Sequence, residues 1–156
     1  MDVIIMPSIT SLAAKLAIDF PDLQFQASDE FRWSPLSHMV IFDKTSNDKA
    51  SLLHELSHAL LGHDDYLKDI ELIAMERDAW EYAQEKLCDK YAVTLSEEDI
   101  EDALDTYRDW IHARSTCPEC VSTGIQTKKY AYRCIACDSL WKVNDARICA
   151  LRRYRL

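Results

Sequence analysis

His54 and His58 stand four residues apart with Glu55 beside the first, in the run His54-Glu55-Leu56-Ser57-His58. On a helix, positions i and i+4 stack on one face. Two neutral imidazoles placed that way can hold two corners of a tetrahedral Zn²⁺. Glu55 is rotated by about 100° from His54, next to the metal face, where a carboxylate can take a proton from a metal-bound water. These are parts of metal-dependent hydrolysis. The flanking residues support a helix. His54, His58, Ala50, Ser51, Glu55 and Leu61 share one side, and Leu52, Leu53, Leu56, Ala59 and Leu60 fall on the other. Ser46 or Asn47 is the expected N-cap and Gly62 the expected C-terminal stop. The competing reading is an ordinary amphipathic helix with two solvated histidines.

A zinc hydrolase needs a third protein ligand and an open fourth position. His63 lies five residues after His58, just past Gly62. The next helix, expected over about Tyr66 to Tyr91, carries an apolar arc of Ile70, Leu72, Ile73, Ala79, Trp80, Ala83, Leu87 and Tyr91. Glu76 sits inside that arc, whereas Glu71 points away from it. A carboxylate among buried apolar neighbours is costly unless a cation neutralises it, which marks Glu76 as third ligand. Asp69 and Arg77 also fall near the arc, so a buried structural ion pair is the alternative.

The segments His54–His63 and Glu76-Arg77-Asp78-Ala79-Trp80-Glu81-Tyr82-Ala83 resemble the ImmA/IrrE family of metallopeptidases. The resemblance spans about residues 36–90. It implies a bacterial or phage-borne zinc peptidase, with His54, His58 and Glu76 as ligands of a catalytic zinc and Glu55 as the base. Several members of that family act on transcriptional repressors, so the resemblance implies an intracellular protein, such as a regulator, as substrate. Sites of this kind usually have a second oxyanion donor, and Tyr66 and His63 are the nearby candidates.

A second constellation lies near the end of the chain. Cys117-Pro118-Glu119-Cys120 and Cys134-Ile135-Ala136-Cys137 are two C-x-x-C knuckles. Segments 129–133 and 139–143 alternate as strands beside them. The pattern resembles a zinc ribbon, in which four thiolates hold a structural zinc. Two zinc ions per chain are therefore expected. A pair of disulfides is the alternative. The N-terminal residues Met1–Pro7 do not look like a secretory signal, so a reducing, cytoplasmic setting is expected and disfavours disulfides. Cys88 and Cys149 are expected to be plain thiols.

The elements that must position these residues read as an α+β chain. Ser8 to Phe20 is expected to be helical and to end at Pro21. Segments 23–27, 31–33 and 39–42 are expected to form a short antiparallel sheet in front of the metal helix. Ser96-Glu97-Glu98-Asp99 approximates a capping box opening a helix through about His112. The expected division is a zincin-like domain over 1–114 and a zinc ribbon with basic tail over 115–156. At 156 residues and 48% hydrophobic, the chain can bury a core. No apolar run reaches the length of a membrane span, and no glycine-rich nucleotide-binding fingerprint is present.

Charge separates the two parts. Residues 1–120 hold 10 Lys/Arg against 25 Asp/Glu, and residues 121–156 hold 8 against 2. Tyr130, Tyr132, Trp141 and Tyr154 are interleaved with the basic residues, among them Arg147, Arg152, Arg153 and Arg155. Such a patch can contact nucleic acid, or dock on an acidic protein surface, including the chain's own. Three functions follow as expectations: a zinc endopeptidase, a SprT-like DNA-associated protease, and a non-catalytic zinc-bearing interaction module. A SprT-like site would need a later histidine as ligand, and only His112 follows His63.

Overall fold

The computed structural model describes residues 7–146 and 150–156. Cys149 and Arg147 lie outside the described residues, as does the Met1–Met6 stretch considered above. The described residues form two compact units. The first takes the residues up to Asp64 together with Met75–Ile100. The second takes Asp65–Ala74 and the residues from Glu101 onward. The fold is α+β, with helices and two small sheets. Among the described residues no helix is long and apolar enough to cross a membrane.

In the first unit, helix α1 (Ile9–Asp19) is capped by Ser8, whose Oγ accepts the Ser11 N–H at 3.1 Å. It buries Ile9, Leu12, Ala13 and Leu16, while Ala17 on the same side is exposed. Strands β1 (Gln24–Ser28), β2 (Arg32–Ser34) and β3 (Met39–Asp43) form a sheet in the order β1-β3-β2. The antiparallel expectation fails for one pairing: β2 runs antiparallel to β3, but β1 runs parallel to it. Alternation identifies a strand without stating its direction. The unbroken apolar run Val40-Ile41-Phe42 is buried throughout, as suits a central strand with a neighbour on each edge.

Helix α2 (Lys49–Leu60) packs Leu52, Leu53 and Leu56 into this core. Its N-cap is Asp48 rather than Ser46 or Asn47, with Oδ1 accepting the Ser51 N–H at 3.0 Å. Helix α3 (Asp69–Tyr82) begins later than expected and contributes Met75–Tyr82 to this unit. It continues as a π-helical turn over Ala83–Leu87 and a last turn, α4 (Cys88–Tyr91). The apolar arc holds at Ala79, Ala83, Leu87 and Tyr91, all buried. Ser96 and Asp99 do form the reciprocal cap. Asp99 N–H donates to Ser96 Oγ at 3.1 Å, and Ser96 N–H donates to Asp99 Oδ2 at 2.9 Å.

The second unit holds the start of α3, most of α5 (Glu97–Ser115) and an antiparallel sheet. Its strands are β4 (Gly124–Lys128), β5 (Ala131–Cys134), β6 (Leu140–Val143) and β7 (Arg153–Arg155), in that order. Tyr132, Trp141, Val143, Cys117 and Cys134 make its core, with Leu151 against them. The Tyr132 and Trp141 rings stack with centroids 5.7 Å apart. Gly124 faces this stack. A Cβ there would meet the Trp141 ring and lie 2.8 Å from the Arg133 carbonyl oxygen.

Asp69 and Arg114, 2% and 1% exposed, form a buried ion pair in the same unit, with Arg114 Nε 2.7 Å from Asp69 Oδ2. The Tyr132 hydroxyl also donates to Asp69, and Asp69 N–H donates to Gln126 Oε1 at 2.6 Å. Arg114 turns its remaining N–H groups to the Asn144 and Asp145 carbonyls. So the acid near the arc is accounted for by a cation 45 residues away in sequence. Ile70, expected on the buried arc, is 61% exposed, and Arg77 is exposed as well.

Candidate metal centres

His54, His58 and Glu76 converge, all buried. His54 Nε2 lies 3.0 Å from Glu76 Oε2, His58 Nε2 lies 3.2 Å from Glu76 Oε1, and the two Nε2 atoms are 3.1 Å apart. Two nitrogens this close cannot each point a proton at the other; they can each donate to a different Glu76 oxygen, or both offer a lone pair to one shared cation. A single cation satisfies all three. The ligand atoms of a four-coordinate ion with bonds of about 2.0–2.1 Å stand roughly 3.3 Å apart, close to the spacing here. Two imidazoles and a carboxylate also suit zinc chemically.

Local structure explains the convergence. The helical register of α2 stacks His54 over His58, with ring centroids 4.5 Å apart. Trp80, one turn after Glu76 on α3, stacks on His54 at 3.9 Å and 18°. Among the described residues His54 Nδ1 is buried with no hydrogen-bond partner, so this stack is the contact that holds the ring. At the end of α2, Gly62 takes φ +69°. Its N–H donates to Ala59 O at 3.1 Å and the His63 N–H donates to His58 O at 3.0 Å. This is the Schellman closure that glycine favours. It sets His63 Nδ1 2.8 Å from His58 Nδ1.

Glu55 is half-buried beside this group. Its Oε2 accepts the Trp33 backbone N–H at 2.7 Å, from strand β2. Burial pushes the Glu55 carboxyl up, against the lowering pull of His54 and His58 and the Trp33 hydrogen bond; Glu76 adds to the rise. Glu76 goes the other way. Burial raises it, but hydrogen bonds from His54 and His58 outweigh burial and hold it well below the usual carboxylate range. The pKa of His63 is lowered, first by burial and then by the neighbouring His58.

In the second unit, Cys117, Cys120, Cys134 and Cys137 bring their sulfurs within 4.8 Å of one another. The 117–137 and 120–134 pairs stand at 3.7 and 3.5 Å. Sulfurs on a tetrahedral zinc with bonds of about 2.3 Å lie roughly 3.8 Å apart, while a disulfide needs about 2.05 Å. Backbone N–H groups of Glu119, Ala136 and Cys137 point at Cys117 and Cys134 Sγ at 3.4–3.5 Å. Hydrogen bonds from Ser122 hold the Cys120 thiol down at about 6. This donor set fits a closed four-sulfur metal site.

The other candidate residues are placed differently. Tyr66 belongs to the second unit, with the Lys129 ammonium 5.2 Å from its ring centre. His112 is exposed on α5 and joins neither metal-ready group. Cys88 is a buried thiol. Of the four aromatics interleaved with basic charge, Tyr132 and Trp141 are core residues and offer no ring to a base. Tyr130 and Tyr154 are exposed. Sequence reasoning missed Trp33 and the role of Trp80. Trp80 is one turn from Glu76, a usable signal; Trp33 is 22 residues from Glu55 and carries none. Compared with known proteins, the chain matches no family model, no curated protein and no solved structure.

Proposed function

We propose that the chain is a zinc-dependent endopeptidase of the ImmA/IrrE type, carrying a structural zinc in its C-terminal ribbon. The observation that carries this reading is the convergence of His54, His58 and Glu76 with Glu55 held alongside by the Trp33 N–H. When bound, zinc supplies a Lewis acid that polarises a carbonyl and brings the pKa of water toward about 7. The two glutamates are pushed apart as a division of labour requires. Glu76, depressed, stays ionised as a ligand. Glu55, raised by burial, is suited to accept a proton and return it to the leaving amine. Trp33 fixes one of its oxygens, leaving the other to take that proton. The fitting substrate class is a peptide bond in another protein.

The test is a Glu55→Gln variant of the full chain. It is expected to keep two zinc ions, to capture the substrate from a lysate, and to lose about 10²–10⁴-fold in cleavage of it. Hydrolysis undiminished by the substitution overturns the proposal. So does a captured protein that the wild type leaves intact, which would favour a non-catalytic interaction module.

A further inference from the structure

His63 stands behind His58, on the side away from Glu76. The Nε2 of His58 faces Glu76 at 3.2 Å, while its Nδ1 faces His63 Nδ1 at 2.8 Å. An imidazole that offers its Nε2 lone pair to a cation keeps its proton on Nδ1. In that state His58 Nδ1–H donates, and His63 must accept through Nδ1 with its own proton on Nε2. The two rings meet edge to face, centroids 5.0 Å apart.

His63 is itself fixed from two directions. Its N–H donates to the His58 carbonyl at 3.0 Å, through the turn at Gly62. Its carbonyl accepts the Trp33 indole N–H at 2.9 Å. The backbone N–H of the same Trp33 donates to Glu55. One residue of an edge strand thus holds both the carboxylate beside the site and the residue behind a ligand. Among the described residues nothing supports His54 at Nδ1, and its ring rests on Trp80 instead.

We infer that His63, anchored by Trp33, is the positioning residue of His58: it fixes the tautomer and ring direction of that imidazole for metal binding. Groups that accept from the far nitrogen of a ligating histidine typically contribute about 10–100-fold in metal affinity. The inference rests on the proposed zinc site and not on peptide hydrolysis.

The test is metal affinity in the full chain, read with Co²⁺ as well as Zn²⁺. The four-sulfur site gives cobalt a thiolate charge-transfer band, so the two sites are followed separately. His63→Ala is expected to weaken the non-sulfur site by about 10–100-fold and leave the thiolate band at wild-type affinity. His63→Asn, which retains an acceptor carbonyl, is expected to recover most of that loss and the wild-type cobalt spectrum. Trp33→Phe keeps the backbone N–H to Glu55 and removes only the indole donor, so a smaller loss of the same sign is expected. Unchanged affinity in His63→Ala overturns the inference. An Asn variant as weak as Ala also does, since it would make His63 mere packing. A wild type that binds metal at the sulfur site alone sinks this inference and the proposed function together. A wild type that binds two metals, shows the His63 effect and cleaves nothing sinks only the function.

Discussion

The two metal-ready clusters are built in opposite ways. The four cysteines come in two knuckles, each spanning four residues, whose backbone N–H groups point back at the sulfurs. Each half of that site is local, and its four like donors close around the centre. The His54, His58 and Glu76 group instead draws from two helices, with Glu76 22 residues from His54. It has three donors of two kinds, and a carboxylate that is not part of the triad beside it. A closed site converts metal binding into folding free energy; a site with an open position leaves the metal free to do chemistry. The neighbours follow the same division. The sulfur site is packed on Trp141 and Tyr132, while the histidine site is surrounded by groups that orient rather than fill: Trp80, His63 and Trp33.

Removing metal gives the largest contrast. If the four cysteines hold zinc as proposed, chelation or Cys134→Ser is expected to unfold the β4–β7 sheet, because a structural zinc in so small a unit contributes on the order of 10 kcal/mol or more. Hydrogen exchange should then show β5 and β6 losing protection while α1 and α2 keep theirs. A metal-free β4–β7 sheet that stays protected breaks the comparison. Next in size, on the proposed two-zinc reading, is Glu76→Ala, expected to cut bound zinc from two equivalents to one while shifting unfolding free energy by only about 1–3 kcal/mol. Elemental analysis beside a denaturant titration reads both quantities, and retention of both zincs would remove Glu76 from the ligand set. The smallest effect sharpens the picture of the core around Trp141. Gly124→Ala forces a methyl against Trp141 and the Arg133 carbonyl, and should cost about 1–3 kcal/mol in stability of the β4–β7 sheet with metal stoichiometry unchanged. A neutral result would mean that the Trp141 stack yields easily.

Legibility in the sequence tracked the range of the interaction. Helix α1, the Ser96 capping box and the Gly62 stop are all local, and the chain states them in adjacent residues. The α2 cap lies one or two positions past the expected Asn47 or Ser46, because Ser46, Asn47 and Asp48 are all competent caps. Strand direction is not legible, because period-two alternation is the same for parallel and antiparallel neighbours, and β1 runs parallel to β3. Glu76 and Asp69 are the instructive pair. Both are buried acids on α3, seven residues apart on the same face, and residue type alone offers each the same two explanations. Asp69 is answered by Arg114 and Tyr132, Glu76 by two imidazoles.

By itself the sequence determined which side chains can bind metal and how they are spaced along each element, because helical and knuckle geometry follow from positions three and four apart. It also set the segregation of acidic and basic residues along the chain. Only the tertiary structure decided what surrounds those donors. The Trp33 N–H on Glu55, the His63 ring behind His58 and the Trp80 ring under His54 are contacts between separate elements or across a turn. Their partners are chosen by packing, and no periodicity in the sequence encodes that choice.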